Sequence, residues 1–316
     1  MRIVPYACTD GGYTGRSLSL VSQVMREVVR PVRYHSVSIT KDKYLDAFAR
    51  LIREADSSLN VHHLFIAIDV ETHSPNTLTQ ERRRSLIASI ASLITYTSPT
   101  LHSLVCLPQF DLIPWGTHFP VLTDLTTKFS NLTHDQNLGR RYPSLLRLHL
   151  IAQGMLVSSI WQEIVYLGPA LTHLRFSGIF RYTYLPPFLR AFLGLPAKKG
   201  DWRFSTGPEA ELMPGGSDVL DAAAKASALP DLHSILVQTQ RGDWALRNYG
   251  TILDYDIMVE GLRSVADACA QGEGSKKLYL VPEVELYTIE DALEDWRDYV
   301  SGGEGPWRRT LPPLPL

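Results

Sequence analysis

The sequence has few cysteines, no excess of basic residues and no long apolar run, and each absence excludes a class of protein. Its three cysteines, Cys8, Cys106 and Cys269, lie far apart without a CxxC spacing, so they predict reduced thiols in a cytoplasmic or nuclear protein. Lys and Arg number 31 against 33 Asp and Glu, so the basic excess of a nucleic-acid-binding protein is missing. No apolar run approaches the roughly 18 residues of a membrane-spanning helix, and residues 1–15 lack the apolar core of a signal peptide. We therefore expect neither a nucleic acid nor a membrane as a partner.

The motifs of common catalytic sites are also missing. The chain contains no G-x-S-x-G, P-loop, G-x-G-x-x-G or H-E-x-x-H sequence. Gly11, Gly12 and Gly15 precede a predicted helix but follow no clear strand, so they indicate a turn rather than a phosphate loop. Cys106 has no histidine partner that the sequence places beside it, and a buried thiol is the expectation. We therefore predict that the protein is not an enzyme and uses no cofactor.

One group of histidines and carboxylates has residue types that suit zinc or iron: His62, His63, Asp69, Glu71 and His73. On a strand, however, His62 and His63 point to opposite faces and cannot both bind one ion. We predict no bound metal. A metal-dependent hydrolase built around His62, Asp69 and His73 remains as an alternative function.

Acidic residues cluster near the C-terminus and invite comparison with paired catalytic acids. Helical spacing places four of them at i, i+3, i+4 and i+7, which is typical of one solvated acidic face. These four residues are Asp291, Glu294, Asp295 and Asp298.

A short phrase recurs along the chain: proline, any residue, an aliphatic residue, two further residues and a second aliphatic residue. The first three steps, of 21, 23 and 26 residues, match the length of leucine-rich repeats, roughly 20–29 residues. In such a repeat the aliphatic side chains point inward from a short parallel strand, and proline suits the strand entry because no ladder donor is needed there. The copies begin at Pro99, Pro120, Pro143, Pro169 and Pro230, and a sixth copy without proline spans Val61–Leu64.

Helical patterns lie between these strands. Strands that alternate with helices favour an α/β fold, which we interpret as an irregular leucine-rich-repeat-like β/α solenoid with parallel strands. An ordinary doubly wound α/β domain is the alternative. The first helix is predicted over Arg82–Thr97, and Thr77–Gln80 before it resembles a capping box. A strand is predicted over Lys277–Val281. Further helices are predicted over Met155–Leu167, Pro187–Leu193, Asp218–Ala228, Tyr255–Ala270 and Ile289–Val300.

If the strand register is correct, the residues between the inward aliphatics line a concave face that is open to a protein partner. Arg147 and His149 would lie beside His173 and Arg175, because neighbouring strands are about 4.8 Å apart. Such a patch would suit an acidic or phosphorylated segment. The predicted partner-binding residues are Ser103, Asp124, Thr126, Arg147, His149, His173, Arg175 and Ser234.

The N-terminal region carries an amphipathic pattern over Arg16–Arg30, which predicts one helix that ends at Pro31. The run Asp10–Ser22, together with Pro31–Tyr34, resembles the second half of the F-box-like motif in a large protein family of mushroom-forming fungi. Three further stretches are similar to that family: Leu171–Leu174, Phe188–Phe192, and Asp295–Asp298 with Gly302–Trp307.

This resemblance implies a substrate-recognition subunit of a cullin–RING (SCF-type) ubiquitin ligase, in which the F-box binds the adaptor subunit and the repeats hold the protein to be ubiquitylated. An F-box normally opens with a Leu-Pro phrase and a first helix, and here only Met1–Thr14 precede the matching part. A repeat scaffold that has lost adaptor binding is therefore an alternative. At the family's adaptor-binding or core positions, with core as the first interpretation, stand Leu18, Leu20, Val21, Val24 and Val28.

The predicted organisation has three parts. Residues 1–40 form the F-box-like remnant, and residues 41–301 form the repeat body, with a Gly/Pro-rich loop inserted at 197–216. Residues 302–316 form a Gly/Pro-rich tail, for which fraying is expected.

Overall fold

The structure, a computed structural model, describes residues 8–54, 60–68, 79–107, 117–128, 141–152, 160–180, 182–196, 229–241, 249–272, 276–284 and 287–308. The strands are β1 Ser36–Ile39, β2 His63–Ile66, β3 Ser103–Cys106, β4 Asp124–Lys128, β5 Arg147–Ile151, β6 His173–Ile179, β7 Ser234–Gln240 and β8 Lys277–Val284. The helices are α1 Tyr13–Val21, α2 Gln23–Val29, α3 Asp42–Glu54, α4 Gln80–Thr97, α5 Ile160–Leu167, α6 Leu185–Phe192, α7 Tyr249–Ala270 and α8 Ile289–Val300. A 3₁₀ turn at Gly305–Trp307 follows α8.

The chain divides into two compact units. The first comprises Met1–Leu145 and Thr288–Arg308, and the second is built from Leu146–Tyr287. In the first unit the strands pair in the order β1-β2-β3-β4, and in the second in the order β5-β6-β7-β8. All of these pairs are parallel, and neighbours in each sheet are neighbours in the chain. The predicted α/β class with parallel strands is therefore confirmed.

The recurring aliphatic phrase forms the core of both units. The second aliphatic of each copy lies in a strand and pairs with its counterpart: Leu64 with Leu104 and Leu104 with Leu125 in the first unit. In the second unit Leu148 pairs with Leu174, which pairs with Ile235. Both aliphatics of every copy are buried, which confirms that the phrases lie side by side within each unit: Val61, Leu64, Leu101, Leu104, Leu122, Leu125, Leu145, Leu148, Leu171, Leu174, Leu232 and Ile235.

The helix predicted over Arg16–Arg30 is two helices, and the prediction of a single helix was wrong. The break falls at Ser22, whose backbone is extended at φ −160° and ψ 166°. The Ser22 hydroxyl accepts a hydrogen bond from the Met25 amide at 3.0 Å and so caps α2. A serine side chain that bonds to nearby backbone competes with a continuous helix, which explains the interruption.

The predicted helix over Arg82–Thr97 is confirmed as α4, with Leu86, Ile90, Leu93 and Ile94 buried. Its N-cap is Thr79, whose hydroxyl accepts from the Arg82 amide at 3.2 Å. Helix α4 packs against α3, where the Arg82 guanidinium binds Asp46 at 2.7 Å and Asp42 at 3.1 Å.

The remaining predicted elements agree where the structure describes them. Helices α6 and α8 match their predicted ranges closely, α7 begins six residues earlier than predicted, and β8 extends the predicted strand to Val284. The predicted helix Asp218–Ala228, the loop 197–216, residues 153–159 and the tail 309–316 lie outside the described residues. None of the described helices is both long and apolar enough to cross a lipid bilayer.

Candidate protein-binding site

The surface formed by α1 and α2 is built on a capped turn before α1. Both Asp10 carboxylate oxygens accept from the Thr14 amide, at 2.8 and 3.1 Å, and the Thr14 hydroxyl donates to the same carboxylate at 2.6 Å. Gly12 adopts φ 99°, a left-handed conformation that glycine tolerates and that starts the helix here. Gly11 and Gly12 therefore form the predicted turn, whereas Gly15, predicted to belong to it, lies within α1.

Helix α1 lies tightly against the turn that leads from α2 into β1. A methyl group on Gly15 would stand 2.5 Å from the Arg33 carbonyl oxygen, so only glycine allows this approach. The Arg33 guanidinium lies 4.4 Å from the centre of the Tyr34 ring, and that ring packs edge-on against Phe48 of α3. Because Val29 is fully buried, the α1–α2 pair is fixed to the body of the first unit.

The outer side of this pair carries an exposed apolar surface, which we call the α1–α2 patch. Leu20, Val21 and Val24 are 71 %, 70 % and 74 % exposed, and Tyr13 is 76 % exposed. Tyr13 and Leu20 are seven residues apart on α1 and so share one face. The interpretation of Leu20, Val21 and Val24 as core residues was therefore wrong.

The other two carried-over positions, Leu18 and Val28, are half-buried. They therefore link the patch to the interior. Sequence reasoning missed Tyr13, although its seven-residue spacing from Leu20 was a readable signal.

The two helices that carry the α1–α2 patch bear more exposed positive than negative charge. Arg16, Arg26 and Arg30 are exposed, whereas Glu27 is the only acidic residue within the two helices. Glu27 and Arg30 approach at 3.8 Å with both side chains about two thirds exposed, and such a surface pair contributes little to stability. An apolar patch with a basic rim is complementary to an apolar surface with an acidic rim.

For the predicted concave face, the pairing of residues between β5 and β6 was predicted correctly, but the exposure of most of its side chains was not. As expected, Arg147 pairs with His173 and His149 with Arg175 in the β5–β6 ladder. Arg147 and His173 are half-buried, but His149 is fully buried and Arg175 is only 4 % exposed. The expectation that six of the eight predicted partner-binding residues are open to solvent was therefore wrong: Ser103, Asp124, Thr126, His149, Arg175 and Ser234 are all buried.

In the second unit, the polar residues of this face bind one another. The Arg175 guanidinium donates to Ser177 at 3.0 Å and to the Gln238 side-chain oxygen at 2.8 Å. His149 Nε2 lies 2.9 Å from the Ser177 hydroxyl, which itself donates to Gln238. The Tyr287 ring covers both His149 and Arg175. Burial and the Arg175 charge hold the pKa of His149 well below its usual range, so it is neutral.

In the first unit, the chain's own C-terminal helix covers the corresponding face. Trp296 of α8 is 2 % exposed and packs on Phe65 with ring centres 5.6 Å apart. The Tyr299 hydroxyl donates to Asp124 at 2.7 Å. Phe65 and Asp124 share this face with Ser103 and Thr126, because side chains alternate along each strand. A partner therefore cannot contact this face while α8 is in place.

The acidic residues of α8 have structural roles that the sequence did not show. The Asp291 carboxylate accepts from the Thr288 amide at 2.8 Å and completes a capping box. Asp298 accepts from the Gly305 amide at 2.8 Å and binds the Arg308 guanidinium. Asp291 is exposed, as expected for a solvated face, whereas Asp298 is half-buried, so the expectation is wrong for Asp298. Residues 302–308 are held against α8 instead of fraying.

Among the described residues, no group of three or more His, Cys, Asp or Glu side chains has a geometry that could hold a metal ion. Asp69 and His73, which the hydrolase alternative requires, lie outside the described residues, as does Glu71. The three cysteines are buried, and burial raises the pKa of Cys106 to about 12. As predicted, Cys106 is a buried thiol.

No family model, characterised protein or solved structure matches this chain. The similarity to F-box-like proteins thus depends on the sequence motifs alone.

Proposed function

We propose that this protein is a non-enzymatic protein-binding subunit of a cullin–RING ubiquitin ligase, in which the α1–α2 patch binds the adaptor subunit. The observation that carries the proposal is the exposure of Leu20, Val21 and Val24, which stand at the adaptor-binding or core positions of the resembled family and are not in the core here. Large apolar side chains clustered on the surface mark protein-interaction sites, because burying them against a partner removes apolar area from water.

The arrangement of the strands supports a repeat body that presents this patch. Each unit pairs its parallel strands in chain order, and the six strands β2 to β7 each contribute one aliphatic phrase to the core of their unit. This is the pattern of a leucine-rich-repeat-like solenoid, in which every repeat contacts mainly its neighbours. We propose this architecture for the chain as a whole.

We assign recognition of a second partner, an acidic or phosphorylated segment, to Arg147 and His173. These side chains lie in register on neighbouring strands and are half-buried. A fluorescein-labelled poly-glutamate peptide should bind, and Arg147→Glu should weaken its binding at least tenfold by fluorescence anisotropy, whereas Lys43→Glu in the first unit should not. Equal affinities for the wild type and Arg147→Glu would remove this assignment.

The adaptor proposal is tested by co-purification of the full chain with the ligase's adaptor subunit from the same source. The wild type should co-elute with the adaptor, and Leu20→Asp combined with Val24→Asp should abolish co-elution because two charges are placed in the apolar contact. Affinity should also fall as salt is raised, since the arginine rim attracts an acidic partner.

Tyr96→Asp is the matched control, because Tyr96 is 56 % exposed on α4 of the same unit and outside the patch. This variant should co-elute like the wild type. Both variants should retain the wild-type melting temperature, since they alter only exposed side chains. Failure of the wild type to bind the adaptor would leave the scaffold alternative, in which the repeats persist without ligase binding.

A further inference from the structure

Four histidines lie in contact where the strands of the first unit begin. His35 immediately precedes β1, His62 and His63 stand at the start of β2, and His102 immediately precedes β3. The ring centres of His35 and His62 are 4.5 Å apart, those of His62 and His102 are 5.1 Å apart, and those of His35 and His63 are 5.3 Å apart. The His62 and His102 rings are nearly parallel, at 11°. We call this group the histidine stack.

The backbone of the same residues begins the parallel ladder. The His35 carbonyl accepts from the amides of both His62 and His63, at 2.9 and 3.0 Å. The His62 carbonyl accepts from the amides of His102 and Ser103, at 2.7 and 3.1 Å. Because neighbouring strands are about 4.8 Å apart, these bonds force the imidazoles into contact. The imidazoles therefore stand directly beside the hydrogen bonds that start β2 and β3.

The charged groups on the neighbouring elements have other partners and do not pair with the histidines. Asp10 binds Thr14, and Asp124 accepts from Tyr299 and Thr123. Arg33 binds the Tyr34 hydroxyl. Across the described residues, no carboxylate forms an ion pair with any member of the stack. Besides these three charged groups, the same segments carry the Cys8 thiol and the hydroxyls of Tyr34 and Tyr299.

We propose that the histidine stack is an acid-sensitive latch, which holds the entries of β1, β2 and β3 together while the rings are neutral and releases them when the rings are protonated. A positive charge on one ring faces other imidazoles at about 5 Å without a counter-ion. A second proton adds direct repulsion between two cations. The closed stack therefore takes up protons less readily than a stack whose strand entries have separated.

The direction of the pH effect follows from proton linkage. Burial, with the neighbouring imidazoles adding to it, lowers the pKa of His35 to about 4 and that of His63 to about 3. In the open form both rings regain the ordinary pKa of about 6.5. At pH values between the pKa of the closed form and that of the open form, the rings are protonated in the open form and neutral in the closed form. As the pH falls, each of the two rings then raises the equilibrium constant for opening by up to about tenfold per pH unit.

The test is hydrogen–deuterium exchange of the full chain between pH 7 and pH 4.5, with rates corrected for intrinsic exchange. Amides of β1, β2 and β3 should lose protection as the pH falls below about 6.5, whereas those of β6 and β7 in the second unit should not. His35→Asn combined with His63→Asn should remove most of this dependence. His118→Gln is the control, because His118 is exposed and has no ring contact with the stack. Equal loss in both units, or an unchanged dependence in the double variant, would overturn the proposal.

A measurement on the wild type keeps the proposal testable if the double variant fails to fold. Imidazole resonances of the stack, followed by nuclear magnetic resonance, should include at least two that titrate below pH 5 and change together with the β1–β3 amides. If every histidine of the wild type titrates near pH 6.5 while these amides remain protected, the stack is not a latch.

Discussion

Helix α8 should contribute a large part of the stability of the first unit, and Trp296→Ala tests this most directly. Trp296 is 2 % exposed and lies against the fully buried Phe65. Truncation of a buried tryptophan removes its apolar contacts and leaves a cavity, at a cost of about 3–5 kcal/mol. We therefore expect the free energy of unfolding to fall by that amount.

A second substitution on the same helix separates packing from hydrogen bonding. Tyr299→Phe removes the hydroxyl that donates to the buried Asp124 carboxylate. A hydrogen bond to a charged group contributes roughly 1.5–3 kcal/mol, and the Thr123 hydroxyl still donates to Asp124 in the variant. The loss should therefore lie near the lower end of that range. Effects of Trp296 and Tyr299 should not add fully, because the two residues share one helix.

The assay is urea unfolding followed by far-ultraviolet circular dichroism, fitted with one transition for each unit if two are resolved. Tyr96→Ala is the control, because Tyr96 is 56 % exposed and its loss should change the free energy by less than about 0.5 kcal/mol. A loss of under about 1 kcal/mol in Trp296→Ala would refute the conclusion that α8 covers the sheet face. That face would then be open to a partner, as the sequence suggested.

Two further substitutions test the charge interactions. Asp298→Asn should destabilise the first unit by about 1 kcal/mol at pH 7, because the carboxylate that binds Gly305 and Arg308 is lost. Arg308 lowers the pKa of Asp298. Urea unfolding at several pH values should therefore show the difference between variant and wild type shrinking as the pH falls below the ordinary pKa of 3.8. Burial raises the pKa of Glu163 to about 7, so this carboxyl binds a proton more tightly in the folded protein than in the unfolded one. The contribution of this proton to stability is lost as the pH rises from 4.5 to 7. Glu163→Gln should therefore be more stable than the wild type by about 1–3 kcal/mol at pH 8 and similar to it near pH 4.5, and a variant that is less stable at pH 8 would contradict this reasoning.

The strands were predictable because their signal is local. A proline-led aliphatic phrase encodes a strand entry and two inward side chains within six residues, and the paired register of Leu148 with Leu174 follows directly from aligning the phrases. The α4 helix was predictable for the same reason, since its apolar stripe and N-terminal threonine lie within one continuous segment.

The candidate site was harder to predict because exposure depends on which distant segments pack together. The spacing of Leu20 and Val24 predicts an apolar helical face but does not say whether that face meets the core or solvent. The Ser22 break turned these residues outward, while Val29 became the buried anchor. The histidine stack was missed because its members are up to 67 residues apart in sequence, although each stands at or just before the first residue of a strand.

The α/β class, the strands that carry the aliphatic phrases and the aliphatic core could be predicted, because they depend on short periodic patterns within each segment. Long-range packing, in contrast, places α8 over Asp124 in the first unit and Tyr287 over His149 and Arg175 in the second. These contacts join residues far apart in the chain, and their stability comes from burying apolar area that no local pattern specifies. The same packing left the α1–α2 patch as an apolar surface without a partner among the described residues.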